Sequence, residues 1–580
     1  MDPAWALPAW VHDGNVTDRL PVRSIRVAKS VASSFGRLSA AFWPSQPGAA
    51  LALRRLLACA PTYASVAVPR SEATSRASVG TAAAFALCTV SALVYAAGFP
   101  PLAWSIAPWL ALAPLLVACA ALSPWRAAVA GMWWTVVAAL GVGWCLPGML
   151  SRYSGLSVLP SWLATAAVVG GLHGFYLSLY AAWVAWLARR RAARPVVLAG
   201  GWLACEFARG HGSLGIPWAL AAYSQVRSTS LIQLADLAGP YGIGMLIAAA
   251  NACAAAWWEP ALRGPRPWRD AVAIAAALLA AWLYGEWRLG QRFDHGARVR
   301  VAVVQGGAPA VDPAQRAAVL ARYASLTRAG AAPDAELIVW PESAVETYLD
   351  EPSSARETVL QLGRDTRADV VLGGPHYTPS PSGTHYHNSA YLVRDGRVAA
   401  RYDKQRLVPF AEDGRFAWLL GAGMTSYTPG SGASILPAAG LRLGTLLCIE
   451  AMFPDAVSRA VREGADVLVN LSNDAWFGHA APARQQLEIA MLRAVENRRY
   501  LVRAAATGYS AVVDPHGRAV IESAFGVEQV LNATVRASHA HTPYQRWGDA
   551  FAWLVMAGVA AASLRSLMGT TEHQQRRRFV

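Results

Sequence analysis

The sequence predicts a polytopic α-helical membrane domain of about eight transmembrane helices carrying one polar α/β domain. Three observations predict it. Hydrophobic residues make up 54% of the 580-residue chain and charged residues 15%, against roughly 45–50% and about 25% in soluble proteins. Apolar segments follow one another from about 82 to 288, with one more near 550–568. Between them, residues 297–535 alternate short β-rich runs with helical periodicity.

The length excludes a small disulfide-stapled scaffold, and the composition excludes a disordered chain. Residues 1–80 carry Arg19, Arg23, Arg26, Arg37, Arg54, Arg55, Arg70 and Arg76 without a clean apolar span. They read as a basic, partly disordered cytoplasmic extension, with no removable signal peptide. Spans are expected near 82–99, 104–122, 127–148, 160–187, 196–209, 229–256 and 270–287, the fifth and seventh being short for the roughly 20 residues a crossing needs.

The net charge of +15 could suit nucleic acid or an anionic membrane surface. Only Lys29 and Lys404 are lysines, and the arginines cluster between apolar runs. That pattern belongs to membrane topology, so no nucleic-acid partner is expected. Arg126, the group Arg189–Arg191 with Arg194, the group Arg263, Arg266 and Arg269, and the terminal Arg576–Arg578 follow alternate spans. The intervening connections hold fewer arginines, among them Arg152, Arg209 and Arg227. The positive-inside rule then puts both ends in the cytoplasm and, after seven crossings, residues 289–548 on the outer side. Residues 549–580 form the last span and a basic cytoplasmic tail.

In the polar region, Val299, Val301 and Val303 alternate as a strand does. Further strands are expected at Glu336–Trp340, Asp369–Leu372, Leu441–Cys448 and Asp466–Leu471, with helices at about Pro313–Ala329, Ser354–Thr366 and Gln485–Asn497. Three passages there could carry chemistry. Trp340-Pro341-Glu342 puts a carboxylate on the loop after a strand, the usual place for functional groups in α/β sheets; position alone equally suits a solvated glutamate. Tyr402-Asp403-Lys404 contains the region's single lysine, whose compact ammonium can lose a proton as guanidinium cannot; a chance lysine reads the same way. Leu447-Cys448-Ile449-Glu450 ends a strand on the region's only thiol, which is either inert and buried or a nucleophile. A base and a positive charge nearby would favour its thiolate. His376, His385 and His387 share a Pro/Ser/Gly-rich loop, without a carboxylate or thiol at metal spacing, so neither a metal nor a cofactor is expected.

The order Trp-Pro-Glu, Tyr-Asp-Lys, Cys-Ile-Glu resembles the Glu-Lys-Cys triad of the nitrilase superfamily of carbon–nitrogen hydrolases, and that resemblance implies an αββα sandwich. More narrowly, the chain is similar to the apolipoprotein N-acyltransferase family. Asn473-Asp474-Ala475-Trp476-Phe477-Gly478, Leu492-Arg493-Ala494-Val495-Glu496 and Thr507-Gly508-Tyr509-Ser510 match it. In the apolar half so do Trp202, Glu206-Phe207-Ala208-Arg209-Gly210, Gly215-Ile216-Pro217-Trp218 and Tyr223-Ser224-Gln225, which soluble nitrilases lack. The resemblance covers about 82–568. The chain departs from the family pattern at Ile449, often tyrosine; at Ala506, usually asparagine; at Gln486, usually histidine; and in lacking a tryptophan within Gln305–Gln315.

The resemblance implies N-acylation of the terminal S-diacylglyceryl cysteine of bacterial lipoproteins in the inner membrane, with a phospholipid as acyl donor. Glu342 would be general base and Cys448 the nucleophile that becomes a thioester. Lys404 and the Ile449 N–H would stabilise the oxyanion, with Glu412 and Glu450 in support. Trp476 would wall the substrate entrance. Glu206 and Arg209, costly beside apolar runs unless paired, would either pair with each other or contact lipid. The rival readings are a membrane-tethered amidase or nitrilase using water, a relative acylating a different amine, and a non-enzymatic transporter or scaffold.

Overall fold

A computed structural model describes residues 80–578 apart from 213, 265, 308–312, 382, 410 and 415–425. The expected basic extension, residues 1–80, lies almost wholly outside the described residues. All eight expected spans form helices. Five are long and apolar enough to cross a membrane: Pro124–Val142, Val158–Arg189, Ala235–Trp258, Pro267–Leu289 and Ala550–Met568. The seventh, expected to be short, runs 23 residues. Thr81–Ala97 and Pro108–Ala121 are shorter apolar helices, and the fifth, Pro195–Gly210, is 16 residues long. Val158–Arg189 is continuous through a π-helical turn at Gly170–Gly174.

The polar region folds into two six-stranded sheets, β12-β1-β2-β3-β4-β5 and β11-β10-β9-β8-β7-β6. The first comprises β1 (Arg298–Gln305), β2 (Leu337–Val339), β3 (Asp369–Ser380), β4 (Gly383–Arg394), β5 (Arg397–Asp403) and β12 (Gln529–Arg536). The second comprises β6 (Ile435–Ala438), β7 (Leu441–Leu447), β8 (Val467–Ser472), β9 (Leu501–Ala505), β10 (Ala511–Val513) and β11 (Ala519–Glu522). In each sheet three strands run parallel, β1-β2-β3 and β7-β8-β9, and the flanking strands are antiparallel.

The layering follows from the two-residue period of a strand. Val299, Val301 and Val303 of β1 enter the core between the sheets, with Leu443, Leu447, Val467 and Val469 opposite. Ala302 and Val304 point the other way, under helices Arg316–Gly330 and Ser354–Thr366. Helices Pro454–Arg462 and Ala480–Asn497 cover the second sheet. The result is the αββα sandwich. The histidines expected in a loop lie instead on strands: His376 on β3 pairs with His387 on β4, and His385 with Thr378. Pro375 and Pro379 are tolerated there because β2 ends at Val339. Beyond Val371, β3 therefore lacks that neighbour, and a missing N–H costs little on an unpaired side.

Sandwich and membrane helices share one continuous apolar cluster, in which Ile449, Met452, Phe453, Ile489, Leu492 and Val495 pack with residues of the spans. Polar ties reinforce it. Arg498, fully buried, donates to Asp236 Oδ2 at 2.5 and 3.0 Å and to Gln233 Oε1 at 2.5 Å. Asp236, also fully buried, accepts from Arg288 and Tyr284, each at 2.7 Å. One carboxylate thus pairs with two guanidiniums from different elements. Replacing it leaves buried charge uncompensated, a change that costs about 3–5 kcal/mol. Asp236→Ala should lower the thermal unfolding midpoint in detergent by an amount matching that loss; an unchanged midpoint would show the pair to be dispensable.

Candidate functional site

The parallel strands β7 and β8 read as nearly unbroken apolar runs because helices and the opposing sheet bury both faces. β7 ends at Leu447, and Cys448 follows with φ of +48° at the start of a 3-10 turn, Cys448–Met452. A left-handed conformation at a non-glycine residue is uncommon and costs energy. Here Asn470 of β8 donates to the carbonyls of Leu446 and Cys448 at 3.2 and 3.3 Å. Glu450 Oε2 accepts the N–H of Leu447 at 2.8 Å. The thiol is half-buried and packs against the membrane-helix cluster together with Ile216 and Trp218.

Glu342 leaves β2 three residues after its end, on the first sheet. Its loop passes so close to β3 that a Cβ at Gly373 would stand 2.6 Å from the Glu342 Cα, so only glycine fits there. Glu342 Oε1 accepts from Lys404 Nζ at 3.1 Å and from Asn388 Nδ2 at 2.8 Å. Its Oε2 accepts the N–H of Asn473, just past β8, at 2.9 Å. That bond joins the two sheets at the ends of their parallel strands.

Lys404 follows the last residue of β5, and its side chain is fully buried. Besides Glu342, its ammonium meets Glu412 Oε1 at 2.9 Å, while Glu412 Oε2 accepts from Val408 N at 2.8 Å. Burial alone would lower the Lys404 pKa, but the Glu342 and then the Glu412 carboxylates hold it well above the ordinary lysine value. The ammonium is therefore a permanent cation. The Cys448 thiol is pushed up, first by burial and then by the Glu342 carboxylate, against the opposing pull of Lys404. A thiol held protonated in this way can act as a nucleophile only where a base removes its proton.

Among the other expected residues, Glu450 accepts from Tyr402 Oη at 2.9 Å and from the N–H groups of Gln405 and Arg406 at 2.8 and 2.9 Å. It fastens the segment after Lys404 to the end of β7. The Ile449 N–H opens a 3-10 turn, where backbone donors have no partner within the helix, and its side chain is buried. Trp476 is 41% exposed on the turn Asp474–Phe477 that follows β8.

Glu206 and Arg209 lie on helix Pro195–Gly210. Glu206 is buried and accepts from Ala221 N at 2.7 Å, and Arg209 donates to the carbonyls of Trp218 and Ala219 at 2.6 and 2.8 Å. The two side chains stand 3.7 Å apart and brace the segment from Trp218 to Ala221. Trp218 in turn donates to Gln485 Oε1 at 2.5 Å and packs edge-on to Phe477.

The sequence reading missed Asn388, which bridges Glu342 and Glu412 and whose carbonyl accepts the Lys404 N–H at 2.8 Å. It also gave no role to Asn473 or Gln485.

Residues 300–544 match the carbon-nitrogen hydrolase family, and residues 91–253 match the apolipoprotein N-acyltransferase N-terminal domain. An apolipoprotein N-acyltransferase of Geobacter metallireducens is 34% identical over 85% of this chain and 96% of its own. One of Bradyrhizobium diazoefficiens is 32% identical over 76% and 86%. Among solved structures, Saccharomyces cerevisiae Nit3, a member of branch 10 of the nitrilase superfamily, is 22% identical over 42% of this chain and 92% of that one, with a TM-score of 0.33. With both halves matched and the relatives aligned along most of their length, the chain belongs to the apolipoprotein N-acyltransferase family.

Proposed function

We propose that this protein N-acylates the terminal S-diacylglyceryl cysteine of lipoproteins by two-step acyl transfer from a phospholipid, at the outer face of the bacterial inner membrane. One observation carries the proposal. The sulfur emerging from β7 beside the buried Lys404–Glu342 pair also packs against the apolar cluster of the membrane helices. Donor and acceptor are both anchored lipids, and a site seated on the spans meets them without extracting them from the bilayer.

In the first step Glu342 takes the Cys448 proton as the sulfur attacks an acyl ester of the phospholipid. A C–S bond forms and the carbonyl becomes an oxyanion facing Lys404 and the Ile449 N–H. The ester C–O bond then breaks, Glu342 returns the proton to the departing glycerol oxygen, and a lysophospholipid leaves. In the second step the free α-amine of the diacylglyceryl cysteine attacks the thioester. Glu342 takes the amine's proton, the C–N bond forms, the C–S bond breaks, and the proton returns to sulfur. Lys404 stays charged throughout: it orients Glu342 and meets developing negative charge at no reorganisation cost. Glu412 and Asn388 hold that ammonium and carboxylate in register, and Glu450 keeps Cys448 and Lys404 on facing segments. Trp476 stands at the substrate entrance, and Glu206 with Arg209 shapes the lipid-facing segment through Trp218.

Cys448→Ala should abolish acylation of the protein by labelled phospholipid, as read by mass spectrometry of the intact chain; persistence of the label at the parent level would remove Cys448 from the reaction. Lys404→Met should slow thioester formation on the order of 10²–10³-fold, the usual effect of deleting an oxyanion donor. A rate within a factor of about two of the parent would contradict that role. Because the thiol is raised above the ordinary value of 9.0, alkylation of the Cys448 peptide by iodoacetamide should keep climbing as pH passes that value. A plateau near neutrality would mean a preformed thiolate, and with it a different role for Glu342.

A further inference from the structure

Three arginines occupy connections at the end of the membrane helices that meets the sandwich, and their partners differ. Arg209 is spent on the carbonyls of Trp218 and Ala219 beside Glu206. Arg227 pairs with Glu488 of the sandwich at 3.1 Å. Arg152, in the last turn of the nine-residue helix Leu146–Ser154, is exposed, and no carboxylate among the described residues forms an ion pair with it. The positive-inside rule disfavours an arginine in an outer connection, so one kept there without an acidic partner calls for another use.

Its surroundings define that use. The guanidinium points its two terminal nitrogens at Gly478, where a Cβ would stand 2.8 and 3.0 Å from them. Gly478, at φ +63°, closes the 3-10 turn Asp474–Phe477. At the other end of this turn, Asn473 donates its N–H to Glu342. The two contacts therefore sit at opposite ends of one four-residue turn. Exposed Trp476 sits on the same turn, and Trp144, also exposed, sets its ring 4.8 Å from that of His479, tilted by 47°. Exposed indoles beside a long cationic side chain are the combination that settles at a membrane–water boundary, and the guanidinium fork matches phosphate bidentately.

We propose that Arg152 binds the phosphodiester of the donor phospholipid and thereby sets its acyl ester before Cys448. This rests on the acyl-transfer reading above. The acceptor, an S-diacylglyceryl cysteine, has no phosphate, so Arg152 acts on the first step alone.

The test compares thioester formation on the full-length parent and Arg152→Gln, using a diacyl phospholipid and a phosphate-free diacylglycerol as donors. The acceptor step is followed separately from preloaded enzyme. Arg152→Gln should lower the rate with phospholipid roughly 10–100-fold, the loss expected for one charge-assisted contact. It should leave the diacylglycerol rate and the acceptor step at parent levels, and Arg152→Lys should restore part of the phospholipid rate. Equal phospholipid rates in parent and variant overturn the inference. So does equal slowing with both donors, which marks a structural role. Inhibition of the parent by inorganic phosphate, lost in the variant without any donor difference, assigns the site to a free anion and overturns it as well. If the parent itself forms no thioester from phospholipid, the acyl-transfer reading falls, and this inference with it.

Discussion

The buried ammonium of Lys404 is the constraint from which the rest of the site follows. An unpaired cation inside a protein costs several kcal/mol, which good geometry with an opposite charge must offset. Glu342 and Glu412 supply that geometry at 3.1 and 2.9 Å, and Asn388 reaches both carboxylates. Neither loop can move away without stranding charge. The same requirement places Glu342 beside a half-buried thiol whose pKa is pushed up first by burial.

The sandwich turns this local need into a fixed arrangement of the three groups. Glu342 and Lys404 belong to one sheet, Cys448 and Asn473 to the other, and the core between the sheets sets their separation. The Asn473 N–H on Glu342 and the Tyr402 hydroxyl on Glu450 cross from sheet to sheet. Tyr402 is itself part of the inter-sheet core, so packing and positioning are accomplished by the same side chain.

A second requirement is that the sandwich keep its pose on the membrane helices. Apolar residues of the Cys448–Met452 turn and of helix Ala480–Asn497 enter the membrane-side cluster. Arg498–Asp236, Arg227–Glu488 and Trp218–Gln485 tie the rim. Glu206 and Arg209 act at one remove from the thiol, through the segment containing Trp218. Charge that would be costly in an apolar helix is thereby converted into hydrogen bonds that shape a loop.

The eight helices, the strands β1, β2, β7 and β8, and the residues Glu342, Lys404 and Cys448 were legible in the sequence, because apolar length, two-residue alternation and rare residue types at strand ends are local signals. The histidines at 376, 385 and 387 were misread as a loop, since two prolines in a strand are ordinary only where a neighbouring strand stops short, and β2 does so for reasons of tertiary structure. Asn388 carries no local mark: its importance arises when β4 brings it beside two carboxylates distant in sequence. Composition and periodicity alone determined that this chain has apolar helices joined to an α/β domain with a thiol, an amine and a carboxyl at strand ends. Only the folded structure decided that these groups meet on a roof of membrane-side side chains, because their convergence depends on long-range pairing and charge burial, which no window of the sequence contains.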